Sequence, residues 1–274
     1  MNISEIKQMC QQKLIKADFE NPELQTDLIL VHVTGLKRTE LYLHREQILP
    51  DKDVKNVWQC LERRVRHEPL QYIFGETDFL DCRLLLNPDV LIPRSETEFM
   101  VDMIIRSRQK FTKVLDLGTG SGAIAIALAK HFPDAEMDAS DISAAALTLA
   151  RKNAILNNVH INFILSDLFQ NINSRYDLII SNPPYVADYL YNDLPDEIRH
   201  YEPVKALKAG VTGYEFFRNI LAEAKDHLTS RAVIYFEIGY GQADQVRKIA
   251  TDSGFSSIEV IKDLNGRDRI MIIG

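Results

Sequence analysis

Cysteine is scarce in this sequence, and its three cysteines, Cys10, Cys60 and Cys82, lie far apart. Their spacing matches neither a zinc site nor a disulfide framework, so we interpret them as thiols in a reducing compartment. The sequence also lacks an apolar run of transmembrane length and, at its start, the basic and apolar segments of a secretory signal. We therefore expect a cytoplasmic protein with no membrane segment.

Excess positive charge is missing as well, since the formal net charge is −7 at pH 7. A protein that binds the nucleic-acid backbone needs a basic surface, so direct binding to nucleic acid is not expected. The hydrophobic content of 46% and the charged content of 26% are ordinary for a globular protein. A chain of 274 residues is long enough for one large and one smaller domain.

Helical spacing of apolar residues extends over residues 1–75, which we expect to form a small helical domain. Ser4 is placed to cap the first helix. Asn21 and Pro22 are typical of the start of a second helix, and a further helix begins near Asp51. Because this segment has no catalytic constellation of its own, its expected role is to pack on or recognise another molecule, and we assign it to substrate recognition.

Residues 76–93 are expected to form a β-hairpin connector, because short apolar runs flank the turn-forming residues Asn87-Pro88-Asp89. Ser95 and Glu98 then have the spacing of a capping box at the start of a helix. The rest of the chain, residues 94–274, is expected to form the main domain.

Strands and helices alternate in this main domain. The predicted strands are residues 114–117, 136–140, 161–165, 176–181, 232–237, 256–262 and 269–273, and the helices include residues 123–130, 143–156, 213–229 and 241–252. Such alternation is typical of an α/β fold with a mostly parallel, doubly wound sheet. Only a short turn, residues 264–268, joins the last two strands, so that pair should be antiparallel.

A glycine-rich loop, Gly118-Thr119-Gly120-Ser121-Gly122, follows the first of these strands. With Ala123 it satisfies the pattern G-x-G-x-x-A, and Asp141 follows the second strand about 20 residues on. Glycine lets a ligand approach the backbone closely, and an acid in that position accepts hydrogen bonds from ribose hydroxyls. The pattern fits a dinucleotide and S-adenosylmethionine equally well, because both present an adenosine ribose.

The third strand is followed by Ser166-Asp167-Leu168-Phe169. Here Asp167 can accept a hydrogen bond from an adenine amino group, and Leu168 can flank the ring. Ordinary core packing is the alternative role for Leu168 and Phe169.

The fourth strand ends at Asn182-Pro183-Pro184-Tyr185, because two consecutive prolines have no N–H to donate to a sheet. The Asn182 side-chain oxygen and the Pro183 carbonyl can each accept one hydrogen from an NH₂ group, and the Tyr185 ring can cover its flat face. These four residues predict a clamp for a planar amide or amino group, with Pro184 in its wall. The alternative is a proline-rich turn with an incidental asparagine.

Together these segments resemble the HemK-type protein-(glutamine N5) methyltransferases, which modify peptide chain release factors. The resemblance covers essentially the whole chain, and its most specific features are the helical first domain and Leu91-Ile92-Pro93-Arg94. Asn-Pro-Pro-Tyr alone is less specific, since DNA adenine methyltransferases share it. Ser95 departs from the family, which usually has proline there. The other matching segments are residues 69–73 with Gly75, 116–122, 201–203 with Ala206 and Leu207, and 266–269.

The resemblance implies a class I S-adenosylmethionine-dependent methyltransferase fold, in which a seven-stranded doubly wound sheet with an antiparallel last strand follows a small helical-bundle domain. It implies methyl transfer from S-adenosylmethionine to the side-chain amide nitrogen of the glutamine in the Gly-Gly-Gln motif of class I release factors. S-adenosylhomocysteine is then the product. No metal ion and no direct nucleic-acid partner is implied, and we expect a monomer.

The resemblance also assigns site residues. Those expected to bind the cofactor are Gly118, Thr119, Gly120, Ser121, Gly122, Asp141, Asp167, Leu168 and Asn182. Those expected to take part in catalysis are Asn182, Pro183, Pro184 and Tyr185.

Two other functions fit part of the sequence. An adenine-N6 methyltransferase acting on DNA or RNA would use the same clamp, but it should carry a basic recognition domain, and residues 1–75 are of mixed charge. A nicotinamide-dependent oxidoreductase matches the glycine-rich loop but leaves the Asn-Pro-Pro-Tyr segment unexplained.

Overall fold

Two compact units, Met1–Gly75 and Glu76–Gly274, make up the chain in the computed structural model. The structure describes residues 1–107 and 109–274. Within these ranges, every helix is too short or too polar to cross a membrane.

The first unit is a bundle of helices around one apolar core. Its helices are α1 (Ile3–Lys16), α2 (Pro22–Thr34), α3 (Arg38–Leu43), α4 (Asp51–Arg64) and α5 (Leu70–Phe74). Asn2 caps α1, because its side chain accepts the Glu5 N–H while the Glu5 carboxylate accepts the Asn2 N–H. The predicted cap at Ser4 is therefore wrong. The start of α2 is as predicted, with Pro22 as its first residue.

The second unit begins with a β-hairpin whose position differs from the prediction. Strand β1 (Glu76–Phe79) pairs with β2 (Cys82–Leu85), so the chain reverses at residues 80–81. Residues 87–89 do form a turn, in which the Asn87 side chain accepts the Asp89 N–H, but residues 90–93, which adjoin it, do not form a strand. The predicted hairpin turn at residues 87–89 is therefore wrong.

Helix α6 (Ser95–Arg106) follows, and the predicted capping box at its start is also wrong. Arg94 occupies the capping position, so Ser95 already lies inside the helix. The Glu98 carboxylate accepts the Leu80 N–H at 2.8 Å and thereby ties α6 to the hairpin turn.

A seven-stranded sheet forms the centre of the second unit. Its strands are β3 (Lys113–Leu117), β4 (Glu136–Asp141), β5 (Asn162–Leu165), β6 (Tyr176–Ser181), β7 (Leu228–Glu237), β8 (Ile258–Lys262) and β9 (Asp268–Ile273). They are arranged in the order β5-β4-β3-β6-β7-β9-β8. The strands from β5 to β7 are parallel, and β9 runs antiparallel to both of its neighbours. The predicted fold class is confirmed, including the antiparallel last pair.

The second unit contains further helices, and those in its two apolar clusters cover both faces of the sheet. The further helices are α7 (Ala123–His131), α8 (Ala144–Leu156), α9 (Asp196–Tyr201), α10 (Val204–Leu207), α11 (Glu215–Glu223) and α12 (Ala243–Asp252), with short 3₁₀ helices at Asp188–Asp193 and Ala224–His227. Val114 of β3 packs in one apolar cluster with Met100 of α6, whereas Leu115 packs in the other with Phe217 of α11. Alternate residues of a central strand thus face two separate cores, which is why β3 is apolar on both sides.

Candidate active site

The strand order places the predicted site residues at one edge of the sheet. Strands β5, β4, β3 and β6 are consecutive neighbours and parallel, so their carboxyl ends lie side by side. Asp167 follows β5, Asp141 is the last residue of β4, Gly118 follows β3 and Asn182 follows β6. Ligands of open α/β sheets bind at this edge.

The glycine-rich loop contains two kinds of glycine. Gly118 and Gly120 have φ angles of +80° and +55°, and a Cβ atom on either would meet no atom within 4 Å. Gly122 also has a positive φ of +85°, but its Cβ would lie 3.0 Å from the Ile126 side chain and 3.2 Å from that of Ala150. Gly118 and Gly120 therefore leave open space for a ligand, whereas Gly122 allows α7 and α8 to pack closely.

The other two residues of the loop are turned inward. Thr119 is buried, and its hydroxyl donates to Asp116 Oδ2 at 2.5 Å. Ser121 is buried as well, and its carbonyl accepts a hydrogen bond from Asn153. Both residues can offer backbone groups to a ligand, but the Thr119 hydroxyl is already used to hold Asp116. Burial raises the pKa of Asp116 to about 7.

Asp141 shapes the loop from the neighbouring strand. Its two oxygens accept the Gly120 N–H at 2.9 Å and the Ser143 N–H at 2.8 Å. Ser143 caps α8 with its own hydroxyl, so Asp141 is not needed as the helix cap. Each carboxylate oxygen has a second lone pair, which leaves Asp141 able to accept ribose hydroxyls. The next residue, Ile142, has an apolar side chain that is 57% exposed.

The residues that follow β5 have separate positions. Asp167 is exposed, and Leu168 is half-buried with a φ angle of +47°. Phe169 is 3% exposed in the core and stacks on His227, with 4.4 Å between ring centroids. The core role considered for Phe169 is thus the one that the structure shows.

Asn182 is half-buried, and a hydrogen-bonded chain holds its side-chain amide. Its Nδ2 donates to Thr97 Oγ1 at 3.2 Å, and the Thr97 hydroxyl donates to Glu237 Oε2 at 2.5 Å. Within residues 1–107 and 109–274, no donor bonds to Asn182 Oδ1 or to the carbonyl of Pro183. Protein donors in these ranges therefore leave both of the acceptors that the clamp requires unused.

Tyr185 is fixed by contacts on both its backbone and its ring. Its carbonyl accepts a hydrogen bond from Gln242 Nε2 at 3.0 Å. A Cβ atom on Gly239 would lie only 3.0 Å from the Tyr185 ring. The Tyr185 hydroxyl lies 3.5 Å from Glu237 Oε1, and burial raises the pKa of the phenol, which stays neutral near pH 7.

The segment that follows the clamp folds back on itself beside it. Val186 exchanges backbone hydrogen bonds with Leu207 and Ala209. Arg94 Nη2 donates to both carboxylate oxygens of Glu202 at 2.7 Å, and the Glu202 side chain is 1% exposed. Arg94 thus pairs with a buried carboxylate rather than serving only as a surface charge.

Sequence reasoning did not single out Thr97, Glu237, Gln242 or Ile142. A carboxylate at the end of the apolar strand β7 was a usable signal for Glu237, because a charged group there needs a partner. Thr97 lies beside the capping residues on which the prediction concentrated, and its partner Glu237 is 140 positions away.

Two protein-family models match the chain. The model described as PrmC N-terminal domain matches residues 5–75, and the model described as Methyltransferase small domain matches residues 95–194. The first match coincides with the helical unit, and the second runs from the start of α6 through the clamp.

Known proteins with similar sequences match over most of their length. The release factor glutamine methyltransferase of Thermodesulfovibrio yellowstonii is 38% identical over 252 residues, which cover 89% of this chain and 90% of that protein. The protein of the same name from Lactococcus lactis is 39% identical over 264 residues, which cover 95% and 97%. Among solved structures, the hMettl16 catalytic domain in complex with MAT2A 3′UTR hairpin 6 matches with a TM-score of 0.56, 15% identity and 82% coverage of each chain. This last similarity concerns the fold alone.

Proposed function

Since the chain belongs to the release factor glutamine methyltransferases, and is therefore an S-adenosylmethionine-dependent enzyme that methylates a release factor glutamine, we propose that its acceptor is the glutamine of the Gly-Gly-Gln motif in class I peptide chain release factors. Family membership favours this function over an adenine-N6 methyltransferase and over a nicotinamide-dependent oxidoreductase. The site residues and their roles below are part of the same proposal.

The residues at the sheet edge fit S-adenosylmethionine. Gly118 and Gly120 leave open space above the loop, where the backbone can approach a ligand. Asp141 has free lone pairs for the ribose hydroxyls, and the exposed Asp167 can accept from the adenine amino group. The exposed side chain of Ile142 adds an apolar surface for the adenine ring, together with the predicted Leu168.

The clamp binds and aims the substrate amide. Asn182 Oδ1 and the Pro183 carbonyl each accept one N–H of the glutamine side chain, which leaves the nitrogen lone pair directed away from both. Tyr185 covers the face of the amide, with Pro184 beside it. An amide is a weak nucleophile, so positioning must supply much of the rate, and well-oriented groups gain roughly 7–11 kcal/mol in this way.

The chemical step is a direct displacement. S-adenosylmethionine supplies a methyl group on a positively charged sulfur, so the C–S bond breaks as the N–C bond forms and the electron pair remains on sulfur in S-adenosylhomocysteine. The alkylated nitrogen then loses one proton to solvent. No strong base is required, because that proton is acidic once nitrogen is alkylated, and Tyr185 stays neutral.

The observation that supports this proposal most directly is the pair of unused acceptors at Asn182 and Pro183, one strand away from the glycine-rich loop. Two acceptors at a fixed corner match the two N–H groups of a primary amide.

The experiment that tests the proposal is transfer of labelled methyl from S-adenosylmethionine to a purified class I release factor. The matched control is the same factor with its Gly-Gly-Gln glutamine changed to alanine. We expect label on the first factor and none on the second. Equal label on both would contradict the proposed acceptor, and label on added DNA instead would favour the nucleic-acid alternative.

We assign substrate recognition to the helical unit, Met1–Gly75, in a cytoplasmic monomer that makes no direct contact with nucleic acid. This assignment predicts that kcat/KM is much higher for a whole release factor than for a short peptide with the same Gly-Gly-Gln segment. Similar values for factor and peptide would contradict it. Sedimentation of the free enzyme at several concentrations tests the monomeric state.

A further inference from the structure

We propose that Thr97 and Glu237 are positioning residues, which together fix the orientation of the Asn182 amide so that its oxygen faces the substrate. The inference rests on the proposed role of Asn182 as the acceptor for the glutamine amide. It adds two residues, from α6 and from the end of β7, that do not touch the substrate themselves.

The single hydrogen of the Thr97 hydroxyl fixes the orientation of the Asn182 amide. A threonine hydroxyl has one hydrogen to donate. While Glu237 is ionised, its Oε2 can only accept, so the Thr97 hydrogen is directed to it. Thr97 Oγ1 can therefore only accept from Asn182, so the NH₂ group of Asn182 must face it. Asn182 Oδ1 then points to the opposite side, where the clamp needs an acceptor.

The chain of bonds is sheltered from water. Thr97 is 4% exposed and Glu237 is 1% exposed, so solvent does not compete for these hydrogen bonds. Glu237 ends β7, the strand beside β6, and the pairing of Ser181 with Phe236 brings it next to Asn182. Thr97 and Glu237 thus lie on α6 and β7, and Asn182 directly follows β6.

Glu237 also restrains the second side of the clamp. Its other oxygen, Oε1, lies 3.5 Å from the Tyr185 hydroxyl. One carboxylate therefore supports the amide acceptor through Thr97 and borders the ring that covers the substrate. Because these contacts are made within the protein itself, they can orient the acceptor before the substrate binds, as in a preorganised site.

The orientation depends on the charge of Glu237. The pKa of its carboxyl group is raised to about 7, mainly by burial. Glu96 on α6 also raises this pKa, whereas the Thr97 hydrogen bond, Arg269 and Arg94 lower it. Tyr185, whose hydroxyl lies 3.5 Å from Glu237 Oε1, is neutral in this range. Once protonated, Glu237 can donate to Thr97 Oγ1, which frees the Thr97 hydrogen for Asn182 Oδ1 and favours the reversed amide. We therefore expect kcat to fall as the pH decreases below about 7.

The first test compares Thr97→Val with Thr97→Ser, because valine keeps the shape of threonine without the hydroxyl and serine keeps the hydroxyl. For Thr97→Val we expect kcat on release factor to fall roughly tenfold to hundredfold, as for other lost supports of reacting groups. KM for the factor should change little, because most of its binding comes from contacts remote from the glutamine. Thr97→Ser should restore most of kcat.

Two controls separate orientation from folding. Thr251→Val makes the same substitution at an exposed position of α12 and should behave like the parent protein. Binding of S-adenosylhomocysteine, measured by calorimetry, should be nearly equal in Thr97→Val and the parent, because the glycine-rich loop and Asp141 are unchanged.

The second test uses Glu237→Gln, which cannot ionise. The parent should lose kcat with an apparent pKa of about 7 at saturating substrates, and Glu237→Gln should lack that dependence. A dependence that persists in Glu237→Gln would assign it to another group, such as Asp116, and overturn the role given to Glu237.

The outcomes distinguish this inference from the proposed function. A kcat for Thr97→Val equal to that of the parent, with Asn182→Ala inactive, would overturn the inference and leave the clamp standing. Full activity of Asn182→Ala would instead remove the clamp on which the inference rests. Equal losses in Thr97→Val and Thr97→Ser would also overturn it, because the hydroxyl would then be irrelevant.

Discussion

At the scale of single residues, Asp141 at the end of β4 and Asn182 just after β6 lie on either side of β3 at the same edge of the sheet, but they have different bonding. Both oxygens of Asp141 already accept backbone N–H groups of the loop and of the turn before α8. Asn182 is held from its NH₂ side, so its oxygen is unused among the described residues. This difference agrees with a shaping role in cofactor binding for Asp141 and a substrate-binding role for Asn182.

We predict opposite effects for alanine at these two positions. Asn182→Ala should reduce methyl transfer at least about a hundredfold, because the amide loses an aimed acceptor, while binding of S-adenosylhomocysteine stays close to that of the parent. Asp141→Ala should weaken cofactor binding about tenfold to hundredfold, as expected for loss of hydrogen bonds to a charged group. Calorimetry and single-turnover assays measure the two effects. The same change in both quantities for both variants would contradict the division of roles.

A second prediction concerns Gly122. Gly122→Ala should lower the free energy of unfolding by about 2–4 kcal/mol, because alanine is strained at positive φ and its Cβ presses on Ile126 and Ala150. Gly266→Ala is the matched control, since Gly266 has a φ of +75° with nothing within 4 Å of its Cβ, and should cost about 1 kcal/mol. Urea unfolding measures both values. Equal costs would show that the packing contact is unimportant.

The positions of Asn182 and the glycine-rich loop were predictable because each follows a recognisable buried strand. The hydrogen bond between Thr97 and Glu237 was not predictable, since it joins residues 140 positions apart and only the folded structure brings them together. The residues that surround Thr97 and Glu237 in the sequence do not indicate that these two side chains form a hydrogen bond.

At the scale of secondary structure elements, the pair of Arg94 and Glu202 joins the start of α6 to the segment after the clamp. The pair is partly shielded, since the Arg94 side chain is 28% exposed and that of Glu202 only 1%. Burial raises the pKa of Glu202, and Arg94 opposes that rise. A buried carboxylate that loses its only cationic partner among the described residues strongly destabilises the folded state.

We therefore predict that Arg94→Gln lowers the free energy of unfolding by about 2–3 kcal/mol at pH 8. The loss should be smaller at pH 5.5, because without Arg94 the pKa of Glu202 rises further and the folded state then takes up a proton. Glu202→Gln in the Arg94→Gln background should restore most of the stability. Urea unfolding at the two pH values tests this, and a loss that does not depend on pH would contradict it.

The elements themselves were predicted better than their ends. The parallel strands and their helices were identified from buried apolar runs and alternation, which depend on many residues at once. The hairpin turn and the two caps were assigned from single residues. Asn87, Ser4 and Ser95 each have the right chemistry, but Asn2 and Arg94 occupy the capping positions and the hairpin reverses earlier. Tertiary contacts decide among several adequate turn and cap residues.

At the scale of the whole molecule, two fully buried carboxylic acids couple folding to pH. The pKa values of Asp116 and Glu237 are both raised to about 7, from ordinary values of 3.8 and 4.5. Between those ordinary values and pH 7 the folded state binds protons that the unfolded state has released. Stability from these groups is therefore greatest at acidic pH and is lost as the pH rises through about 7.

We predict that the free energy of unfolding decreases between pH 5.5 and pH 8, with a contribution of about 2 kcal/mol from Glu237 alone. Glu237→Gln should remove that contribution and so show a shallower decrease than the parent. Urea unfolding of both proteins at several pH values measures the slopes, and parallel slopes would contradict the prediction. The ionised Glu237 that the clamp requires is thus the less stable form of the fold.

The position of β9 in the sheet has a consequence for folding during translation. Among the described strands it comes last in the chain, yet it lies between β7 and β8 and bonds to both. While the ribosome is still synthesising it, the long strand β7 presents an unpaired edge with apolar neighbours such as Ile234 and Phe236. Open edges of this kind recruit other chains. Slow translation of the last segment should therefore increase aggregation of the nascent protein, whereas holdase chaperones that cover β7 should decrease it.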